Sequence, residues 1–427
     1  MEINIALQEK IRDDVLKNIE INKIEGLIHD RPSLMIEMSR LIEKVVEQQN
    51  IYLNSQSQRQ MADIMTDEIM GYGPLRPLLE DETVNDILVN GPYKIFVERR
   101  GKLEQTEQKF INNAQLTDIA KRLVQRVGRR LDEGQPLVDA RLPDGSRLNV
   151  AMQPISLDGT AISIRKFGKS NIEFQDLIHF GAMSSQMANF LIIAARVRLN
   201  IIISGGTGSG KTTLLNALSK YIDTTERIIT MEDAAELRLM QPHVLRMETR
   251  LAGVENTGKI TMRELLINSL RMRPDRIIVG ECRGEEAFEM LQAMNTGHDG
   301  SMSTLHANNP RDAISRLENM VMMAGMNIPM ESIRRNIVSA VNLVIQVSRL
   351  NDGSRKIMNI SEVMGIEGER VILQDIFTFE SQSERHENGK IKGEFVSHGL
   401  LMRSAVMRNA IMFDLVDELK HIFDMKG

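Results

Sequence analysis

The sequence predicts an α/β protein in which a parallel-sheet domain follows a smaller α+β region and a helical N-terminal segment. Apolar strands at 200–204, 227–230, 276–279 and 343–347 alternate with helical stretches such as 212–221, 262–271 and 284–294, the pattern of a sheet covered by helices. Upstream, short apolar pieces at 86–89, 94–98 and 147–152 are separated by the turn residues Asn90-Gly91-Pro92, Gly101 and Pro143-Asp144-Gly145, as in a mixed α+β unit. With 427 residues the chain is long enough for about three domains. Its 53 basic and 58 acidic residues leave a net charge of -5, which excludes a wholly basic nucleic-acid binder. One cysteine, Cys282, excludes an intrachain disulfide and a multi-thiolate zinc site. The most apolar stretch, 190–203, is broken by Arg196 and Arg198, and residues 1–9 lack a basic leader with an apolar core. The expectation is a protein that neither spans a membrane nor is secreted.

In chain order, Leu7, Ile11, Val15 and Ile19 recur at helical spacing, and Leu34, Met38, Leu41 and Val45 do so again after Pro32. A polar stretch at 54–60 leads to a third helical run through Met61, Ile64, Met65 and Ile69, ending at Gly71-Tyr72-Gly73-Pro74. A basic helix is expected at 116–130 and a last strand at 161–166. The boundaries are a helical accessory domain at 1–57, an α+β domain at 58–166, a hinge or linker at 167–183 and an α/β domain at 184–427. Within the last, a polar excursion at 381–390 precedes a helical tail at 405–423.

The strongest signal is Gly205-Gly206-Thr207-Gly208-Ser209-Gly210-Lys211-Thr212, after a strand and at the start of a helix. Glycines there let backbone N–H groups turn toward phosphate while the helix presents its positive end. Lys211 would reach the β- and γ-phosphates and the Thr212 hydroxyl would ligate Mg²⁺, with Thr213 beside it. Glu281 ends the strand 276–279 at the sheet edge where ligands of such folds bind. Gly280 stands where an aspartate is common, so Glu281 alone would hold the Mg²⁺ shell, through water. Glu232, after the strand 227–230, is the candidate to activate the attacking water; without other motifs, Glu232-Asp233 reads more often as the acidic first turn of a helix, with Asp233 as cap. Between Gly297 and Asn308 two histidines fall in a loop after a long helix. His298 has two readings, a satisfied structural residue or a nucleotide contact, and His306 is placed to sense the γ-phosphate.

Four motifs in order, at 205–212, 231–237, 273–281 and 297–308, make the chain resemble the secretion ATPases of type II and type IV secretion and type IV pilus systems. The sequences Gly71-Tyr72-Gly73-Pro74-Leu75, Asn90-Gly91-Pro92 and 139–147 extend the resemblance over about residues 60–375. It is most similar to the CpaF or TadA branch, the motors of tight-adherence (Flp) pili, which carry an extra helical region at the N-terminus. The resemblance implies a hexameric ring in which a PAS-like α+β domain is hinged at 166–171 to a P-loop, RecA-like motor domain. It implies ATP and Mg²⁺ as cofactors, ATP bound between the two lobes, and inner-membrane platform proteins as partners at the cytoplasmic face of that membrane. Arg141, Arg147 and Arg165 match the positions whose charge would stabilise the phosphoryl-transfer transition state; the alternative for each is a solvated arginine paired with a local acid. Arg246 and Arg250 are weaker candidates for a contact to a neighbouring subunit. In the Met-rich stretch 320–330, Met322 and Met323 are expected in the core rather than at a partner surface. The nearest rival is a VirB11-like type IV secretion or conjugation ATPase. A RecA-like nucleic-acid motor is a rival of another class, disfavoured by the acidic balance and by 4% aromatic residues.

Overall fold

Ile11, Val15, Leu34, Met38, Leu41, Val45, Met61 and Met65 recur at helical spacing, and all are buried in one cluster. Burying that shared apolar face is what brings three helices together, Ile5–Lys17, Arg31–Gln48 and Ser55–Ile69. A computed structural model of the chain describes all residues except 1–4, 21–23, 25, 28–29, 100–101, 168–171, 251–256, 326, 386–388, 390, 402 and 425–427. It falls into two compact units, Met1–Lys169 and Ser170–Gly427.

In the first unit the polar run 54–60 is not a connection but the opening of the third helix, because the Asn54 side chain caps it by accepting from Ser57 N at 2.7 Å. An antiparallel sheet follows, built from β1 (Val84–Asn90), β2 (Ile95–Arg99), β3 (Lys102–Gln105), β4 (Leu137–Arg141), β5 (Arg147–Ala151) and β6 (Ala161–Arg165), in the order β3-β2-β1-β6-β5-β4. Strand β3 is exposed along its whole length and β4 buries only Val138, so neither shows the alternation that reveals a strand in sequence. The helix Asn113–Arg126 buries Leu116, Ile119, Ala120, Leu123 and Val124 in the core of this sheet. The N-terminal helices share the unit through a buried polar knot. Arg12 reaches Glu68 at 2.7 Å, and Glu68 also accepts from Gln115 at 2.6 Å. All three side chains lie inside the protein.

The second unit is built on nine strands in the order β15-β14-β13-β12-β7-β11-β10-β8-β9. Their ranges are β7 (Ile201–Gly205), β8 (Ile228–Glu232), β9 (Val244–Glu248), β10 (Arg276–Val279), β11 (Met302–Leu305), β12 (Leu343–Arg349), β13 (Arg355–Glu367), β14 (Arg370–Arg385) and β15 (Ile391–Ser397). From β12 to β9 all neighbours are parallel, and β13, β14 and β15 add an antiparallel flank. Ile201 and Ile203 enter one core cluster while Ile202 enters another, and Ile277 and Ile278 divide in the same way. A sheet buried on both faces therefore explains the unbroken apolar runs. Strand β11 lies inside the stretch read from sequence as a loop. Its Ser303 and Thr304 are buried because their hydroxyls find carbonyls, Thr304 Oγ1 donating to Gly280 O at 2.7 Å.

Several expectations change here. The hinge residues 168–171 lie outside the described residues, and within 167–183 the helix Phe174–His179 buries Phe174 in the core of the second unit. Met320 is buried, but Met322 and Met323 are 44% and 64% exposed, so the core reading fails for that pair; they fall on the outer side of the helix Pro310–Met323. Residues 381–385 of the expected polar excursion continue β14, and its Asn388 is outside the described residues. The tail is two helices, Ala405–Met412 and Val416–Asp424, separated where Asp414 adopts a φ of 55°. Among the described residues no helix is long and apolar enough to cross a membrane.

Candidate functional site

Four parallel neighbours, β7, β11, β10 and β8, end on the same edge of the sheet, and each delivers a singled-out residue there. Strand β7 runs into the glycine-rich loop, β11 into His306, β10 into Gly280-Glu281, and β8 ends on Glu232. The loop geometry depends on its glycines. Gly208 and Gly210 take φ values of 68° and 100°, and Gly210 caps the helix Lys211–Ser219 in a left-handed conformation. A Cβ on Gly205 would fall 2.3 Å from Val347 O of β12.

Lys211 is buried, and its Nζ donates to Gly205 O at 3.1 Å and Gly206 O at 3.0 Å. Burial, partly countered by Glu281, holds its pKa below the ordinary lysine value. Thr212 and Thr213 follow in the first turn, half-buried.

The two acids differ in environment. Glu232 is buried, and its Oε1 accepts from Glu236 N at 2.8 Å and Leu237 N at 2.9 Å, while Oε2 has no hydrogen-bond partner among the described residues. Burial outweighs the two backbone donors and lifts its pKa to about 7. Gly280 explains why the common aspartate is missing, since a Cβ there would stand 2.6 Å from Glu232 Cγ. Replacing Gly280 by Ala is expected to cost about 1–3 kcal/mol through this overlap, read from urea unfolding; an unchanged midpoint would show that Glu232 can swing away.

Glu281 is held by Arg283 at 2.6 Å on Oε2, and Arg283 also reaches Asp233 at 3.4 Å. His306 Nε2 lies 2.9 Å from Glu281 Oε1. Burial first, then the Lys211 charge, depress the imidazole pKa despite the pull of Glu281. The contact is therefore one of a neutral ring at neutral pH rather than an ion pair, and among the described residues Oε1 has no hydrogen-bond donor of ordinary geometry. Buried carboxylate oxygens on Glu232 and Glu281 that have no donor among the described residues, beside a lysine satisfied among them only by loop carbonyls, are the groups that a bound phosphate and a hydrated Mg²⁺ would complete, so the residues fit both.

His298 is not brought to this edge. It precedes β11, and its Nδ1 meets Ala293 O at 3.3 Å at the end of the helix Glu286–Asn295. A four-residue strand, about 13 Å of chain, places it at the opposite edge, so the structural reading prevails over a nucleotide contact within this unit. Arg141, Arg147 and Arg165 belong to the first unit and form one row, since Arg147 pairs across strands with both of the others. Arg147 also binds Asp139 at 2.7 Å, and Arg165 binds Asp86 at 3.2 Å. Arg246 lies on exposed β9 positions, and Arg250 donates to Gly258 O. Sequence reasoning missed Arg283, although it follows Glu281 by two residues, and Gln346, which bridges Ser204 to Ala307 O.

A family model described as type II/IV secretion system protein matches residues 68–416. A Mycobacterium tuberculosis protein named for conjugal transfer is 35% identical over 311 residues, covering 71% of this chain and 88% of that protein. Conjugal transfer protein TrbB of Rhizobium radiobacter is 32% identical over 300 residues, covering 68% and 86%. The X-ray structure of the Yersinia pseudotuberculosis ATPase DotB resembles the chain in fold, with a TM-score of 0.50 at 16% identity over 82% of this chain and 85% of that one. With that family model matching residues 68–416, most of its length, the chain belongs to the type II/IV secretion system protein family.

Proposed function

We propose that the chain is an ATP-hydrolysing motor of a secretion or pilus machine, with a P-loop, RecA-like second unit and a PAS-like first one. The observation that carries this reading is the meeting of the Lys211 loop with the buried Glu232 and the half-buried Glu281 at one sheet edge, each with one buried carboxylate oxygen that lacks a hydrogen-bond partner among the described residues. The backbone of 205–213 would hold the phosphates, and Lys211 would exchange its loop carbonyls for phosphate oxygens. Thr212 and, through water, Glu281 would hold Mg²⁺, which neutralises charge on the transferred phosphoryl group. Glu232, with a pKa near 7, is suited to take the proton of the attacking water. His306, neutral and against Glu281, would report the state of that carboxylate, and the row Arg141, Arg147 and Arg165 would add cationic charge.

Lys211→Ala is expected to weaken ATP binding by about ten- to a hundredfold, the value of a charge-assisted contact. Calorimetric titration of the folded variant checks it, and wild-type affinity would refute the site.

The machine has two readings within this family. A homo-hexamer acting on inner-membrane platform proteins of a tight-adherence pilus, from the cytoplasmic face, is supported by the three N-terminal helices. A VirB11-like conjugation or type IV secretion role is supported at least as well, by relatives named for conjugal transfer. Tagged protein recovered with its membrane partners separates them: pilus platform proteins support the first reading, and conjugation channel components the second.

A further inference from the structure

Strand β12 pairs with β7 as far as Val347 opposite Gly205, then continues through Ser348 to Arg349 beyond the end of β7. The chain turns back there, and Arg355 opens β13 directly opposite Arg349. The turn is held firmly. Leu350 N donates to Ser354 O at 2.8 Å, and Asp352 accepts from Ser354 N at 2.9 Å and from Ile391 N at 2.6 Å. This hairpin reaches the glycine-rich loop, where Arg355 Nε donates to Gly208 O at 2.9 Å. A Cβ on Gly210 would stand 3.4 Å from Arg355 Cδ.

Both arginines are exposed, and among the described residues neither forms an ion pair. The nearby acid Asp352 is engaged by backbone donors. Like charges directly opposite on neighbouring strands repel, and one hydrogen bond to an exposed carbonyl does not account for two arginines. An anion lying against the loop removes the repulsion and uses the guanidinium donors that Gly208 leaves free.

We infer that Arg355, assisted by Arg349, is a phosphate-binding residue that draws the β12–β13 hairpin onto the polyphosphate of the nucleotide held by the glycine-rich loop. The inference deepens the nucleotide-site reading and rests on it. It adds a cationic contact from within the second unit, 144 residues beyond Lys211 in the chain (355 minus 211).

Titration of the full chain with ATP and with ADP at several salt concentrations tests it. Arg355→Ala is expected to weaken both by about tenfold or more, Arg349→Ala by less, and the affinity of Arg355→Ala should fall less steeply with salt because one charge contact is gone. Thermal unfolding without nucleotide should be unchanged, and if Arg355→Ala lowers it, Arg355→Gln takes its place. Wild-type affinity in the Arg355 variants while Lys211→Ala loses binding would overturn this inference alone. Weaker binding with an unchanged salt slope would overturn it too, leaving Arg355 as a support of the loop. If Lys211→Ala binds ATP as the wild type does, the nucleotide reading falls and this inference with it.

Discussion

Glu232→Gln is expected to lower the rate of ATP hydrolysis by about two to four orders of magnitude and, in the same protein, to raise thermal stability at pH 8. The first effect follows from chemistry, since the amide keeps the shape of the side chain and an acceptor for Glu236 N and Leu237 N but cannot take a proton. The second follows from burial. The fold raises this carboxyl from its ordinary value of 4.5 to about 7, so between those values the native state binds more protons than the unfolded chain. Stability is therefore fully retained below about pH 4.5, and it falls as pH rises through about 7. Above that the loss levels off at about 3 kcal/mol, an order-of-magnitude figure from the size of the shift. Glutamine carries no such penalty. The gain in the variant should be largest at pH 8 and absent at pH 4, and hydrolysis by the wild type should climb as pH passes through about 7. Parallel stability–pH curves for the two proteins would show that Glu232 is not the buried acid described here, and near-normal hydrolysis by Glu232→Gln would remove it as the base.

Arg12→Ala is expected to destabilise the first unit by about 3–5 kcal/mol, because removing one partner leaves a buried charge uncompensated. Glu68 is 1% exposed and would keep Gln115 as its only side-chain donor among the described residues. Adding Glu68→Gln to Arg12→Ala should recover part of the loss, since the remaining group is then neutral. Urea unfolding followed by hydrogen exchange within the unit measures both, and a loss below about 1 kcal/mol for Arg12→Ala would show that the knot does not hold the helices. The knot also changes how a deletion of residues 1–55 must be judged, because it removes Arg12 and part of the shared core together. Loss of activity in such a deletion would report the folding of the first unit, whereas exposed single changes such as Ile36→Ser, on the outer side of the second helix, leave the knot intact.

The glycine-rich loop, Glu281 and the alternation of buried strands with helices were legible because each is a local pattern. Strand end, glycine turn and helix start all lie within eight consecutive residues. Glu232 was legible by its place after an apolar run. Strand β11 was not, for its serine and threonine hydroxyls look like loop residues until Gly280 O and the neighbouring strands supply their partners. His298 and His306 stand in one short sequence, yet a four-residue strand between them sends them to opposite edges of the sheet.

By itself the sequence determined the family, the two-sided parallel sheet and the contiguous glycine-rich loop, because periodicity and turn chemistry act over a few residues. Only the tertiary structure decided that Gly280 is small to make room for Glu232, that Arg12 closes over Glu68, and that Arg355 reaches Gly208. Each of these depends on space or charge shared by residues 48 to 147 positions apart, as Gly280 and Glu232 are separated by 48 (280 minus 232) and Arg355 and Gly208 by 147. Steric exclusion and desolvation act between neighbours in space, and no local pattern records who those neighbours are.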